Sequence, residues 1–170
     1  LNVALAFAGY AVNAKGQVIR TTAESTLEGA LARATRLNSV LKNRGTHQEI
    51  FKYCKSELLK DNYFHAVFEA VKGVAQRLRQ MSGLGTDGAD LVNTIFSVKN
   101  PILTINSLKT DSEISEQKGF ANLLVGVFGA IRNPIAHTPK DIWAMPEQDA
   151  IDVLGILSYV HRKLDGASKV

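Results

Sequence analysis

Four stretches of this chain carry apolar residues at three- and four-residue intervals, each bounded by residues that start or stop helices. Such punctuation leaves little choice beyond helices that pack through one stripe apiece. In the first, Leu27, Leu31, Ala34, Leu37 and Leu41 follow Ser25 and Glu28, a pair with capping-box spacing, and Gly45 marks the stop. Its other face carries Arg33, Arg36 and Lys42. In the second, Phe64, Val67, Phe68, Val71, Ala75 and Leu78 form an apolar stripe, with Asp61 or Asn62 as the expected cap; His65, Glu69, Lys72 and Gln76 form a polar stripe of the same period. The third runs from Glu113 to Ile131 behind a second capping-box pair, Thr110 and Glu113, with Ile114, Leu124, Val127, Phe128 and Ile131 on one face. The fourth opens at Pro146, repeats Ile151, Leu154, Leu157 and Leu164, and stops at Gly166. Shorter helices are expected around Ile50, Phe51, Cys54 and Leu58, and over Ala89–Phe96, where Asn100-Pro101 ends the run. The fold class is therefore mainly all-α, a bundle of about five to six helices.

Ahead of the helices, Val3–Tyr10 and Gln17–Arg20 flank Asn13-Ala14-Lys15-Gly16, a turn-rich spacer between β-compatible runs. A short hairpin is expected there, marginal by itself. Residues 1–24 are thus read as a hairpin or linker and residues 25–170 as one helical domain, a size that supports a single substantial core. The chain opens on Leu1, and Leu1–Ala8 has neither a basic flank nor a cleavage site, so it reads as part of a longer protein rather than a secretory signal. No apolar run approaches the ~18 residues of a membrane span. Cys54 is the only cysteine, which excludes an intramolecular disulfide and a thiolate metal cluster and points to the cytoplasm.

The densest chemistry lies at the end of the third helical stretch, in Arg132-Asn133-Pro134-Ile135-Ala136-His137. Pro134 disfavours the α conformation at Asn133 and suits the first position of a new helix, which makes Asn133 the expected N-cap. Asn133 and His137 then fall four residues apart on one helical face, with Arg132 at the bend. A guanidinium supplies a permanent fork of donors for a phosphate, and an imidazole exchanges a proton near neutral pH. That is a minimal kit for cutting RNA. The same residues also fit a structural joint, in which Asn133 caps, Arg132 pairs with a carboxylate and His137 is a satisfied core histidine.

Arg-Asn followed by three residues and His resembles the signature of the HEPN superfamily, all-helical domains that include metal-independent ribonucleases of toxin–antitoxin, abortive-infection and phage-defence systems. The likeness extends to Asn62-Tyr63-Phe64-His65-Ala66-Val67-Phe68-Glu69-Ala70-Val71-Lys72, to Gly119-Phe120-Ala121-Asn122-Leu123-Leu124, to Thr86-Asp87-Gly88 and to His161-Arg162-Lys163-Leu164-Asp165. Together they resemble the phage-associated Ymh-type conserved hypothetical branch, over about Thr26 to Ala167. The resemblance implies a HEPN-like bundle, a symmetric dimer that brings two motifs together, and catalysis by Arg132, Asn133 and His137. It also places the helix of the polar stripe near the cleft, so Lys72 is read as an RNA-phosphate contact with Glu69 orienting it. An antitoxin protein is a further implied partner.

The expected reaction is transesterification: the ribose 2′-OH attacks the adjacent phosphorus and leaves a 2′,3′-cyclic phosphate, with no metal or cofactor required. General acid–base catalysis by His137 is worth about 10²–10⁴-fold, and the phosphate donors of Arg132 on the order of 10²–10³-fold. The alternative is a non-catalytic helical nucleotide- or RNA-binding module of a larger protein. The charge distribution bears on the choice. Residues 1–60 hold nine Lys/Arg against four Asp/Glu, whereas residues 61–170 hold eleven against twelve. The basic excess lies away from the motif, which suits a small cleft better than a broad RNA groove. The four histidines stand far apart in the chain without metal-ligand spacing, so no zinc site is expected. Asp87 and Asp90 beside Gly88 read as a turn and a helix cap rather than a magnesium site. His161-Arg162-Lys163 reads as a cationic last turn set against the helix dipole.

Overall fold

The computed structural model describes residues 10–12, 16–20, 27–59, 63–132 and 145–170. The fold is mainly helical. A two-stranded antiparallel hairpin, β1 (Tyr10–Val12) and β2 (Val18–Arg20), pairs Tyr10 with Arg20 and Val12 with Val18. The second strand falls within the expected run; the first meets the run expected at Val3–Tyr10 only at Tyr10 and continues two residues past it to Val12, while residues 3–9 of that run lie outside the described residues.

Helix α1 (Leu27–Asn43) buries Ala30, Ala34, Leu37 and Leu41. Leu31, expected on that stripe, is 58% exposed. The spacing of the buried residues explains the correction, because Leu31 stands about 100° round the helix from Ala30. The helix closes on Gly45 at φ +63°, with Gly45 N–H donating to Lys42 O and Thr46 N–H to Leu41 O, a Schellman arrangement.

A single short helix was expected to follow; two 3-10 turns, Gln48–Tyr53 and Ser56–Leu59, stand there instead. Ile50, Cys54 and Leu59 are buried. Side chains of α1 hold the carbonyls at the ends of the two turns: Asn38 Nδ2 donates to Cys54 O at 3.0 Å and Arg33 Nε to Leu59 O at 2.7 Å. Tertiary partners thus satisfy groups that an α-helix would have satisfied internally.

Helix α2 (Phe64–Ser82) is the central element, burying Phe64, Val67, Val71, Ala75 and Leu78 as its periodicity predicts, and ending at Gly83 with φ +80°. Tyr63 is its N-cap residue and makes no side-chain cap bond; Asp61 and Asn62 lie outside the described residues. Helix α3 (Gly88–Ile95) is capped by Asp87, whose carboxylate accepts from Gly88 N–H at 2.9 Å. Strand β3 (Leu103–Thr104) pairs antiparallel with β4 (Ser168–Lys169). Helix α4 (Asp111–Val127) starts on the full Thr110–Glu113 capping box and continues as a π turn over Phe128–Arg132. Helix α5 (Glu147–Asp165) follows Pro146 and ends at Gly166.

One apolar core joins α1 to α5, with Leu37, Ile50, Val74, Ile95, Phe128 and Leu154 among its members. No described helix is long and apolar enough to cross a membrane.

Candidate functional site

The arginine of the motif stands where α4 leaves the core. The capping box fixes the helix start, Leu124, Val127 and Phe128 are buried along its inner face, and Ile131 packs partly against the core. Past Val127 the backbone opens into the π turn Phe128–Arg132, which touches α2 and α3. Such turns are rare, and they recur at functional sites. Arg132 closes the turn; Asn133 and His137, the other two expected catalytic residues, lie outside the described residues.

The polar stripe of α2 forms a separate region. Lys72 Nζ donates to Glu69 Oε1 at 2.8 Å and lies 5.3 Å from the centre of the Phe68 ring, so the two expected RNA-binding residues are paired with each other. An exposed pair three residues apart is worth only about 0.2–0.5 kcal/mol, so Lys72 exchanges its partner readily. Beyond it, Arg79 donates to Gln76 and to Asp87. These side chains border a groove against the 3-10 turn. The Tyr53 hydroxyl lies so close to the α2 backbone that a Cβ at Gly73 would stand 2.0 Å from it, which makes glycine the residue that admits the ring. Burial raises the Tyr53 pKa. Two cavities of about 290 and 460 Å³ share Tyr53, Gly73 and Gln76.

The second of these cavities borders a charged cluster that sequence spacing concealed. His47 and His161, 114 positions apart in the numbering, stack with ring centres 5.2 Å apart at 13°. Arg77 Nη1 donates to His161 Nδ1 at 3.0 Å, and its Nη2 donates to Asp165 Oδ1 at 2.6 Å. An arginine can only donate, so Nδ1 of His161 is the acceptor and the ring proton sits on Nε2. That Nε2 has no hydrogen-bond partner among the described residues. His47 Nδ1 accepts from Glu49 N–H, which leaves Nε2 to donate to Asp165 Oδ2 at 2.8 Å. His161 is 1% exposed, and burial, reinforced by Arg77 and His47, lowers its pKa to about 4. Hydrogen bonds from Arg77 and His47 hold the Asp165 carboxyl below its ordinary value.

His161 is therefore a neutral core residue, not part of a cationic last turn. The remaining two residues of that triplet are engaged too: Arg162 donates to Ser158 Oγ and Lys163 pairs with Glu116. A usable signal existed, since His161 follows Leu154, Leu157 and Ser158 on the buried phase of α5. Nothing local marks its partner His47. Cys54 is 3% exposed, and burial pushes its thiol up to about 12, which removes it as a nucleophile at neutral pH. Among the described residues no three His, Cys, Asp or Glu side chains come together in a way that holds a metal ion.

A family model described as a protein of unknown function, Hypoth_ymh, matches residues 44–164. The chain belongs to that family. The Hypoth_ymh span begins immediately after α1 and takes in the 3-10 turns, α2, α3, α4, the π turn and nearly all of α5. The hairpin and α1 lie outside it. No curated protein and no solved structure matches the chain.

Proposed function

We propose that this chain is a HEPN-type, metal-independent endoribonuclease that cleaves RNA by 2′-OH transesterification, acting in the cytoplasm in phage defence, abortive infection or as a toxin. The observation that carries the reading is the sequence Arg132-Asn133-Pro134-Ile135-Ala136-His137 at the exit of a capped, core-anchored helix whose last turn is π and closes on Arg132. His137 takes the proton from the 2′-OH as that oxygen attacks phosphorus and the bond to the 5′-oxygen breaks. The 5′-oxygen needs a proton in the same event. One imidazole cannot serve both ends at once, so a homodimer that pairs two motifs completes the reaction. Arg132 offsets charge on the phosphate oxygens, Asn133 fixes the turn, and Lys72, released from Glu69, contacts the RNA backbone. An antitoxin protein is the proposed protein partner.

One observation favours a second reading, a non-catalytic binding module. Lys72, Arg77 and Arg79 each meet a carboxylate, of Glu69, Asp165 and Asp87, so the groove beside α2 offers little net positive charge. The deciding experiment incubates the chain, Arg132→Ala and His137→Ala with mixed cellular RNA in excess EDTA. Cyclic-phosphate ends from the parent and a loss on the order of 10²-fold or more in both variants are expected. A folded, dimeric parent that leaves RNA intact gives the binding module the better claim.

A further inference from the structure

We infer that the pocket between α3 and α4 holds a phosphate of the RNA backbone, with Lys118 supplying the charge and Asn93, Asn122 and Ser97 the hydrogen bonds. The choice of RNA rests on the nuclease reading, and the pocket gives that reading a substrate contact it lacks, because Lys72, Arg77 and Arg79 of α2 each meet a carboxylate. The pocket has a volume of about 290 Å³, and none of the residues around it is acidic. Its floor is fixed: Phe96 and Ala121 are buried, and the Phe96 ring meets Phe120 edge-on with ring centres 5.2 Å apart. Its rim is polar and exposed, with Asn93 contributed by α3 and with Lys118 and Asn122, one turn apart, contributed by α4.

Lys118 differs from the cations of α2. Its neighbours three and four positions away are Ile114, Ser115, Ala121 and Asn122, so its own helix offers it no carboxylate. Lys118 makes no ion pair or hydrogen bond with any described residue, and the side-chain amides of Asn93 and Asn122 make none either. Ser97 Oγ accepts from Asn100 N–H, which leaves its hydroxyl proton to donate outward. An ammonium and three neutral donors suit an oxyanion, whose several oxygens can accept from all of them. Helix α3 ends beside the pocket, where its dipole brings about half a negative charge; the full charge of Lys118 outweighs it. RNA is favoured over a free phosphate because α4 runs on through the π turn to Arg132, about 21 Å along the axis, so a strand laid on α4 passes the helix end where the motif begins.

The test measures binding of a 2′-O-methyl RNA oligonucleotide, which lacks the attacking hydroxyl and is not cut, across a range of salt concentrations. The proteins are the parent, Lys118→Ala, Lys118→Arg and Asn122→Asp, with a melting temperature for each; both positions are exposed, so the variants should fold. One phosphate contact on a single strand contributes about 0.7 to the slope of log K against log salt, and so about 5-fold in affinity near about 0.1 M. Support is a loss of that size in Lys118→Ala, recovery in Lys118→Arg, and a loss at least as large in Asn122→Asp, which sets a carboxylate beside the lysine. Parental affinity and slope in a folded Lys118→Ala overturn the inference and leave the nuclease standing. Inorganic phosphate that binds through Lys118 while RNA binding ignores the substitution also overturns it, since the pocket then serves a free anion. A parent that does not bind this RNA overturns it as well, and if that parent also fails to cleave cellular RNA the nuclease reading falls with it.

Discussion

His161 ties the stability of this fold to pH in a way that one substitution can isolate. Its imidazole is 1% exposed and faces Arg77 from α2, His47 and Glu49 from the 3-10 turn, and Asp165 from its own helix. Its pKa falls from 6.5 to about 4 on folding, mainly through burial. Between those values the unfolded chain binds a proton that the folded chain refuses. Stability from this group is therefore complete above pH 6.5 and is lost as pH falls toward 4, at up to about 1.4 kcal/mol per pH unit and about 3 kcal/mol in all. The carboxyls of Asp165 and Glu49 are held below 3.8 and 4.5, so their stabilising contribution disappears at lower pH than most of the histidine window. The assay is thermal melting from pH 7.5 to 4.5 for the parent and for His161→Leu, which keeps an apolar filling but cannot titrate. For a chain of this length the parent should lose about 4–10 °C more than the variant across that range. Parallel curves for the two proteins would show that the buried ring is not the titrating group and would refute the argument.

Two further perturbations read the packing around the motif helix. Gln117 is fully buried, and its amide donates to Leu103 O at 2.9 Å while accepting from Ile105 N–H at 3.1 Å, so Gln117→Ala leaves both backbone groups unpaired. A loss of about 2–4 kcal/mol by urea denaturation is expected, and a loss under 1 kcal/mol would mean that those groups find other partners. Thr110→Ala removes the oxygen that accepts from Glu113 N–H, and should cost about 1 kcal/mol by the same measurement; no change would mean that Glu113 alone secures the start of α4.

Where local rules and tertiary packing agree, the elements were legible in the amino-acid order. The buried face of α2, the two-sided Thr110–Glu113 box, the Asp87 cap and the ends of α1 and α5 at Gly45 and Gly166 all follow from spacing and caps. Leu31 misled because hydrophobicity and position on the helix disagree there, and the smaller Ala30 takes the inward place. The 3-10 segment was misread as one helix because Asn38 and Arg33, far away in the chain, satisfy the carbonyls of Cys54 and Leu59. The motif itself is a sequence observation, of which the structure describes the approach through the π turn up to Arg132. The pairing of His47 with His161 was invisible for a different reason: it depends on two elements meeting side by side, and neither residue carries that information locally.

The family span opens at Arg44, yet Ala34, Leu37 and Leu41 of α1 are full members of the core it encloses. The helix lies along α5, joined to it by Arg36–Glu147 and, at its end, by Arg44–Asp152. Kinship and cooperativity thus draw different borders on this molecule. In this chain the residues of the family span leave an apolar face that Ala34, Leu37 and Leu41 of α1 cover, so a cut at the border of the span would expose core rather than surface.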